Sequence, residues 1–363
     1  MRPSTTRICT TILIVMISMS YLECAVDAQT PLDPIVVLFD ASHSPHFAAG
    51  DATDGLKLML DMVNASTRYV VRFHSGSPIN DTVLRGVDVL IIASPGASSP
   101  FTNSEAASIG RLLNNGSSLM ILGDPAIAQD SSYWSETTLQ DLGSNIVINR
   151  LLDLLNVTGV RFSINATGGG TFWADSMFDY THAVNKTSPW VLHMDSTTWD
   201  TSHPIFKDIN ELVLMAATLK PVSLVSSIAR GYKTSFAQFR KGPNTFANTS
   251  FPNMSLEEFH KWPLNYSAIN GTLPPWLSAF EYNGSRIVIS GSTIMFTGRV
   301  LDVYKGTLKW FYTTDNARLF MNILGWLTEG FVQPETAILP MVALSSVVFI
   351  IGVVIYTIKK RKQ

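Results

Sequence analysis

Both cysteines of this chain, Cys9 and Cys24, fall within its first 28 residues, so nothing after them can be stapled covalently. Residues 29–334 must therefore be held together by a buried core, and roughly 300 residues suffice to form one. Apolar runs bracket that stretch. Arg2 and Arg7 precede an uncharged run from Ile8 to Leu22, and Val26 and Ala28 put small residues ahead of Gln29. That is the layout of a signal peptide over residues 1–28, with an uncleaved signal anchor as the alternative. Residues 337–358 carry no charge. At about 1.5 Å per residue such a helix crosses a hydrocarbon core of about 30 Å. Lys359, Lys360, Arg361 and Lys362 follow within the tail 359–363, and basic residues stay cytoplasmic. The expectation is a single-pass type I membrane protein of the cell membrane or endoplasmic reticulum membrane. Its domain 29–334 is extracellular or lumenal, close above the bilayer, and its C-terminus is cytoplasmic.

The asparagines point the same way. Of nineteen in the chain, eleven open an Asn-x-Ser/Thr sequon: Asn64, Asn80, Asn115, Asn156, Asn165, Asn185, Asn248, Asn253, Asn265, Asn270 and Asn283. Turn-rich composition accounts for a few; eleven imply an N-glycosylated surface outside the cytoplasm. Glycans would supply hydration that a 15% charged composition lacks, since ordinary domains carry about 25%. Without signal and tail, twenty basic and twenty-six acidic side chains remain, a net −6. No basic stripe exists, so a nucleic-acid partner is not expected.

Residues 34–334 alternate apolar strand-like runs with amphipathic helices, the pattern of an α/β sheet. Strands are expected at Ile35–Asp40, Tyr69–Phe73, Val87–Ala93 and Ser118–Leu122. Helices are expected near Ala52–Val63, from a Thr102/Glu105 capping box to Asn114 with Gly116 as its stop, and over Asn145–Leu155. The unbroken apolar strands imply a parallel sheet buried on both faces. Residues 159–274 read as added β-structure and glycosylated loops rather than a second core. A hairpin across Asn283-Gly284 joins Leu277–Tyr282 to Arg286–Ser290, and Asp315 is expected to cap a last helix.

Asp40, His43 and His46 follow the first strand, at the sheet edge where α/β folds bind ligands. Such a set can hold a metal, although His-x-x-His alone has little metal specificity and a self-braced polar loop is the simpler reading. Ser94 ends the third strand and Asp124 the fourth, which would bring both to that edge. Asp124 can act as a base or ligand, or simply form a turn before Pro125. His203-Pro204 reads as a turn. The chain has no GxSxG, GxxxxGK[ST], GxGxxG or HExxH motif, and no cofactor or catalytic residue is assigned.

The segments VVLFDASHSPHF, VDVLIIASPGASSPFTNSEAASIGRLLNNGSSLMILGDP, RIVISGSTIMFT and DNARLFMNILGWL, in that order, resemble the class I glutamine-amidotransferase-like domain, also called GIFT. It occurs in bacterial gliding-associated transport proteins, in an intraflagellar transport subunit and in the non-catalytic type I subunit of eukaryotic oligosaccharyltransferase. The resemblance implies a flavodoxin-like α/β fold: a parallel sheet with helices on both faces, added β and loop insertions, and one C-terminal transmembrane helix. True class I amidotransferases place a cysteine at the turn after the strand matching Ser118–Leu122, where this chain has Gly123 and Asp124. Their His-x-Glu pair would fall on His203-Pro204-Ile205, without the glutamate. The resemblance therefore implies a non-enzymatic subunit supporting protein N-glycosylation beside a polytopic membrane partner, the oligosaccharyltransferase catalytic subunit. The alternatives are a surface accessory or solute-binding protein of an ABC-type transport system, and a metal-dependent hydrolase using Asp40, His43 and His46.

Overall fold

Val89–Ala93 (VLIIA) and Ser118–Leu122 (SLMIL) are buried at every position. Strands apolar on both faces must be covered on both, so these two lie at the centre of a layered sheet. The computed structural model describes residues 33–127, 133, 136, 139–140, 142–167, 171–221, 227–238, 264–301, 303 and 306–329. The expected signal segment 1–28, span 337–358, tail 359–363 and the sequons Asn248 and Asn253 lie outside the described residues. Among the described residues no helix is long and apolar enough to cross a membrane.

The elements are β1 (Ile35–Asp40), α1 (Lys57–Ala65), β2 (Tyr69–His74), β3 (Val89–Ala93), α2 (Asn103–Asn114), β4 (Ser118–Leu122), α3 (Ile146–Leu154), β5 (Ser227–Arg230), β6 (Pro275–Tyr282), β7 (Ser285–Ser290) and α4 (Asn316–Leu327). Seven strands form one sheet in the order β5-β6-β7-β4-β3-β1-β2. The five from β7 to β2 run parallel, and β6 alone runs against them, pairing antiparallel with both β7 and β5. The sheet is thus mixed, where the apolar runs had implied a parallel one. The hairpin is the reason: two residues, Asn283 at φ 51° and Gly284 at φ 84°, can join only antiparallel neighbours.

Side chains alternate across the sheet. Val37, Phe39, Val89, Ile91, Met120 and Val288 face a core that contains the apolar sides of α1 and α4. Leu38, Leu90, Ile92, Leu119, Ile121 and Ile289 face α2 and α3. The region 159–274 supplies short strands whose Leu192, Met194, Leu212 and Leu214 join the first of these cores together with the nearby Trp190, and its β5 extends the main sheet. α1 begins at Lys57 rather than near Ala52. Asp51 Oδ1 accepts from the amides of Thr53 and Asp54 at 2.7 and 3.2 Å, which holds those residues in a turn. The capping box of α2 is present in both directions. Asp315 stands at the N-cap position of α4, but its carboxylate accepts from the amides of Asn210 and Glu211 instead of capping the helix.

At Gly291, just after β7, the insertion packs tightly against the sheet. The Ala217 amide donates to the Gly291 carbonyl at 2.9 Å, and a Cβ on Gly291 would collide with the Ala217 carbonyl oxygen. Gly291→Ala should therefore cost about 3 kcal/mol of unfolding free energy in denaturant titrations. Gly284→Ala, where a Cβ meets nothing, should cost about 1 kcal/mol through its positive φ alone.

Candidate functional site

The carboxyl ends of β1, β3, β4 and β7 carry two adjoining polar clusters. In the first, Asp40 is 2% exposed and His43 5%. Asp40 Oδ1 accepts from the amide and hydroxyl of Ser42, and Oδ2 lies 2.7 Å from His43 Nδ1. The other ring nitrogen, Nε2, lies 3.3 Å from Glu105 Oε1. Phe101 stacks on the imidazole with centroids 3.7 Å apart. Glu105 also accepts from the Ile79 amide, the Thr102 amide and the Thr102 hydroxyl. Burial alone would lower the His43 pKa, but the hydrogen bond and charge of Asp40, with Glu105 behind them, outweigh it and raise it above 6.5. Burial pushes Glu105 up, yet its bonds to Thr102 and Ile79 and the charge of His43 prevail and lower it. The imidazole is thus clamped between two carboxylates, with both nitrogens engaged.

The second cluster is centred on Asp124, 1% exposed. Its Oδ1 accepts from the amides of Thr293 and Ile294, both at 3.0 Å, and its Oδ2 accepts from the Ser94 hydroxyl, which also meets Thr293 Oγ1 at 2.8 Å. Complete burial raises the Asp124 pKa to about 6 against the pull of these donors. Ser94 sits at φ 40°, a left-handed conformation uncommon for serine. His46 joins the clusters: its amide and its Nδ1 both approach the Ser94 carbonyl, at 3.0 and 3.1 Å.

All five residues expected at this edge are therefore there. Asp40 and His43 pair directly, Ser94 and Asp124 pair directly, and His46 bridges the two pairs through a backbone oxygen. Two further participants stand out only in three dimensions. Glu105 announces itself in sequence as the capping-box partner of Thr102, which conceals its second role. Thr293 lies in the RIVISGST segment, with no spacing that ties it to Asp124. Asp40, His43 and His46 do not converge as metal ligands, because both His43 nitrogens face carboxylates. Among the described residues no group of three or more His, Cys, Asp or Glu is arranged to hold a metal. His203 forms the expected turn, its Nδ1 accepting from the Ile205 amide at 3.3 Å. A separate cleft of about 220 Å³ lies along β5, lined by Thr197, Trp199, Asp200, Ser227 and Arg230 among others. It includes none of the five expected residues.

The sequons divide by exposure. Asn64, Asn80, Asn115, Asn156, Asn185, Asn270 and Asn283 are exposed. Asn165 lies on a strand, Ile164–Thr167. Asn265 points inward, its Nδ2 donating to Ser163 Oγ and Asp175 Oδ2. Asp175 is fully buried, and burial raises its pKa to about 6 against bonds from Thr218 and Asn265.

No family model matches the chain, and no curated protein matches it. Solved structures do. The mmIFT52 N-terminal domain aligns with a TM-score of 0.51 at 15% identity, over 82% of this chain and 100% of that one. A putative ThuA-like protein from Parabacteroides merdae aligns at TM-score 0.43 and 10% identity, over 83% and 92%. Another from Bacteroides uniformis aligns at 0.37 and 11%, over 83% and 93%. The first likeness is one of fold alone, and the looser two carry no argument. The first likeness and the observed sheet agree on an α/β fold.

The buried carboxylates make their own testable demands. Asp124 titrates near 6 when folded, against 3.8 ordinarily. Its stabilising contribution is full below pH 3.8 and is lost as pH rises through 6, about 3 kcal/mol in all. Asp124→Asn should flatten the stability profile between pH 4 and pH 7 by about that amount, measured by urea unfolding across the range. For Asn265, glycopeptide mass spectrometry of the folded protein should find the side chain bare, because a sugar on Nδ2 displaces a donor from a buried carboxylate. Asn265→Ala should destabilise by about 2 kcal/mol for the same reason.

Proposed function

We propose that the chain is a non-catalytic, membrane-anchored subunit resembling the oligosaccharyltransferase type I subunit. In this reading it supports protein N-glycosylation by scaffolding a polytopic catalytic partner or by holding that partner's substrate. The observation that carries the reading is the saturation of its candidate chemistry. At the turn after β4, where an amidotransferase keeps its nucleophile, stands a carboxylate already bonded to Ser94, Thr293 and Ile294. The imidazole at the same sheet edge, that of His43, is held between Asp40 and Glu105. Groups so engaged have their donors and acceptors committed to one another and fasten the strand ends. The same engagement weighs against the metal-dependent hydrolase. A solute-binding accessory of a transport system draws support from the cleft along β5, whose mouth offers Asp200, Arg230 and Thr197 to a small polar molecule.

Affinity purification of the tagged full-length chain from native membranes in mild detergent, followed by mass spectrometry, tests the proposal. A multi-span oligosaccharyltransferase catalytic subunit should co-purify in near-stoichiometric amount. Recovery of transporter components in its place would favour the solute-binding reading, and recovery of neither would count against both. Asp124→Asn should leave that recovery unchanged, because the residue fastens the sheet edge and faces no partner.

A further inference from the structure

Among the described residues β2 is the last strand of the main sheet and pairs only with β1. The Ile35 amide donates to the Arg68 carbonyl and the Ala41 amide to the His74 carbonyl. In a parallel pair this alternation turns the backbone groups of Tyr69, Val71 and Phe73 away from the sheet. An open edge of this kind is a template for pairing with another chain. It is also unusually apolar: Val70 is 39% exposed and Phe73 57%. Two of the outward amides find local acceptors, Tyr69 on the Ser66 carbonyl at 3.3 Å and Val71 on Asn64 Oδ1 at 3.4 Å.

Asn64 opens the sequon Asn64-Ala65-Ser66 at the end of α1. Its oxygen is seated on the strand edge while the residue is exposed, so its Nδ2 lies beside the open edge. Val63, Tyr69, Phe39 and the partly buried Val71 belong to one face of the sheet, and the Phe73 ring rests 6.5 Å from that of Phe39. Phe73 follows Val71 by two residues on that same face and edge, about 7 Å further on.

We propose that Asn64 carries an N-linked glycan that seals the free edge of β2 and covers the exposed Phe73 ring. The inference rests on the extracytoplasmic reading of the domain. In the transfer, Asn64 Nδ2 attacks C1 of the reducing-end sugar of a lipid-linked oligosaccharide diphosphate. The N–C bond forms, the C1–O bond to phosphate breaks, the lipid diphosphate leaves with the electron pair, and Nδ2 gives up one proton. Oδ1 is untouched, so its bond from Val71 survives, and the first sugars extend along the edge. Their apolar ring faces suit the aromatic ring of Phe73, and their bulk excludes a second strand. Asn265 marks the contrast, since there the fold itself occupies the nitrogen that a glycan needs.

The test uses the full-length chain made in an N-glycosylating eukaryotic host and extracted in mild detergent. Glycopeptide mass spectrometry should find Asn64 occupied. Size-exclusion chromatography with light scattering should show Ser66→Ala, which removes the sequon but keeps the asparagine, shifted from monomer to dimer or larger. Ser66→Thr, which keeps the sequon, and Thr187→Ala, which removes the one at Asn185, should both run as the parent. Adding Phe73→Ser to Ser66→Ala should restore the monomer. Native deglycosylation with an endoglycosidase reads the same shift without any mutation. Asn64 bare while Asn115 and Asn185 are occupied, or Ser66→Ala and the deglycosylated parent both monomeric, would overturn the inference alone. Every sequon bare would overturn the extracytoplasmic reading with it.

Discussion

The sheet depends on one long-range closure, the pairing of β7 with β4. The chain leaves β4 at Leu122 and returns at Ser285, and everything between must be accommodated without opening the gap. The strands meet in register, Ile287 to Leu119 through Ser290 to Leu122. The Gly123 amide extends the ladder to the Ser290 carbonyl at 2.9 Å. Just beyond, the Asp124 carboxylate gathers the ends of three strands: Ser94 after β3, its own backbone after β4, and Thr293 and Ile294 after β7. A buried carboxylate is costly unless its donors are complete. Here they are, and the remaining penalty appears as the pKa near 6. Asn145 adds a further tie, donating to the Asp124 carbonyl at 2.9 Å from the residue ahead of α3.

This arrangement bears on function because the polar groups at the strand ends are engaged with one another. The edge of an α/β sheet where ligands usually bind is here crossed by bonds between its own residues. Ser94 and Asp124 belong to a strand-end clamp, His43 belongs to an ion triad beneath Phe101, and His46 holds the Ser94 carbonyl. His43 contributes stability below pH 6.5 that is lost as pH rises through its raised folded pKa. Glu105 contributes stability above pH 4.5 that is lost as pH falls through its lowered one. The triad is therefore best satisfied in the acidic range between those limits, while the contribution of protonated Asp124 and Asp175 declines across that range and is lost above about pH 6.

How far the sequence spoke depended on how local the physics was. β1, β3 and β4 were legible because unbroken apolar runs have few other uses. α2 was legible because Thr102 and Glu105 bond within one turn, and the Asn283-Gly284 hairpin because two positive φ angles leave little choice. The start of α1 was missed by five residues because the Asp51 turn competes for the same amides. The role of Asp315 was misread because its donors, Asn210 and Glu211, lie about a hundred residues away. Site membership followed the same rule. Asp40, His43, His46, Ser94 and Asp124 could be placed from strand ends alone. Thr293 could not, since only the β4–β7 pairing brings it beside Asp124. The inward turn of Asn265 was likewise invisible, because a sequon looks the same whether its nitrogen faces water or Asp175.

The polarity of the sheet also constrains any partner. The end of α4 is fastened at the amino edge of the strands: the Ser118 hydroxyl donates to the Leu327 carbonyl, the Arg68 guanidinium reaches the Thr328 carbonyl, and Arg286 reaches Trp326. In the proposed topology a short linker runs from there to the bilayer, so the amino edge is the membrane-proximal one. The laced edge with Asp40, His43, Ser94 and Asp124 then points away from the membrane. A polytopic partner would meet this domain first at the amino edge, near the helix ends that carry Asn115 and Asn156 and the turn that carries Asn283. The polar clusters would then serve such a partner indirectly, by keeping rigid the sheet on which the docking edge is built.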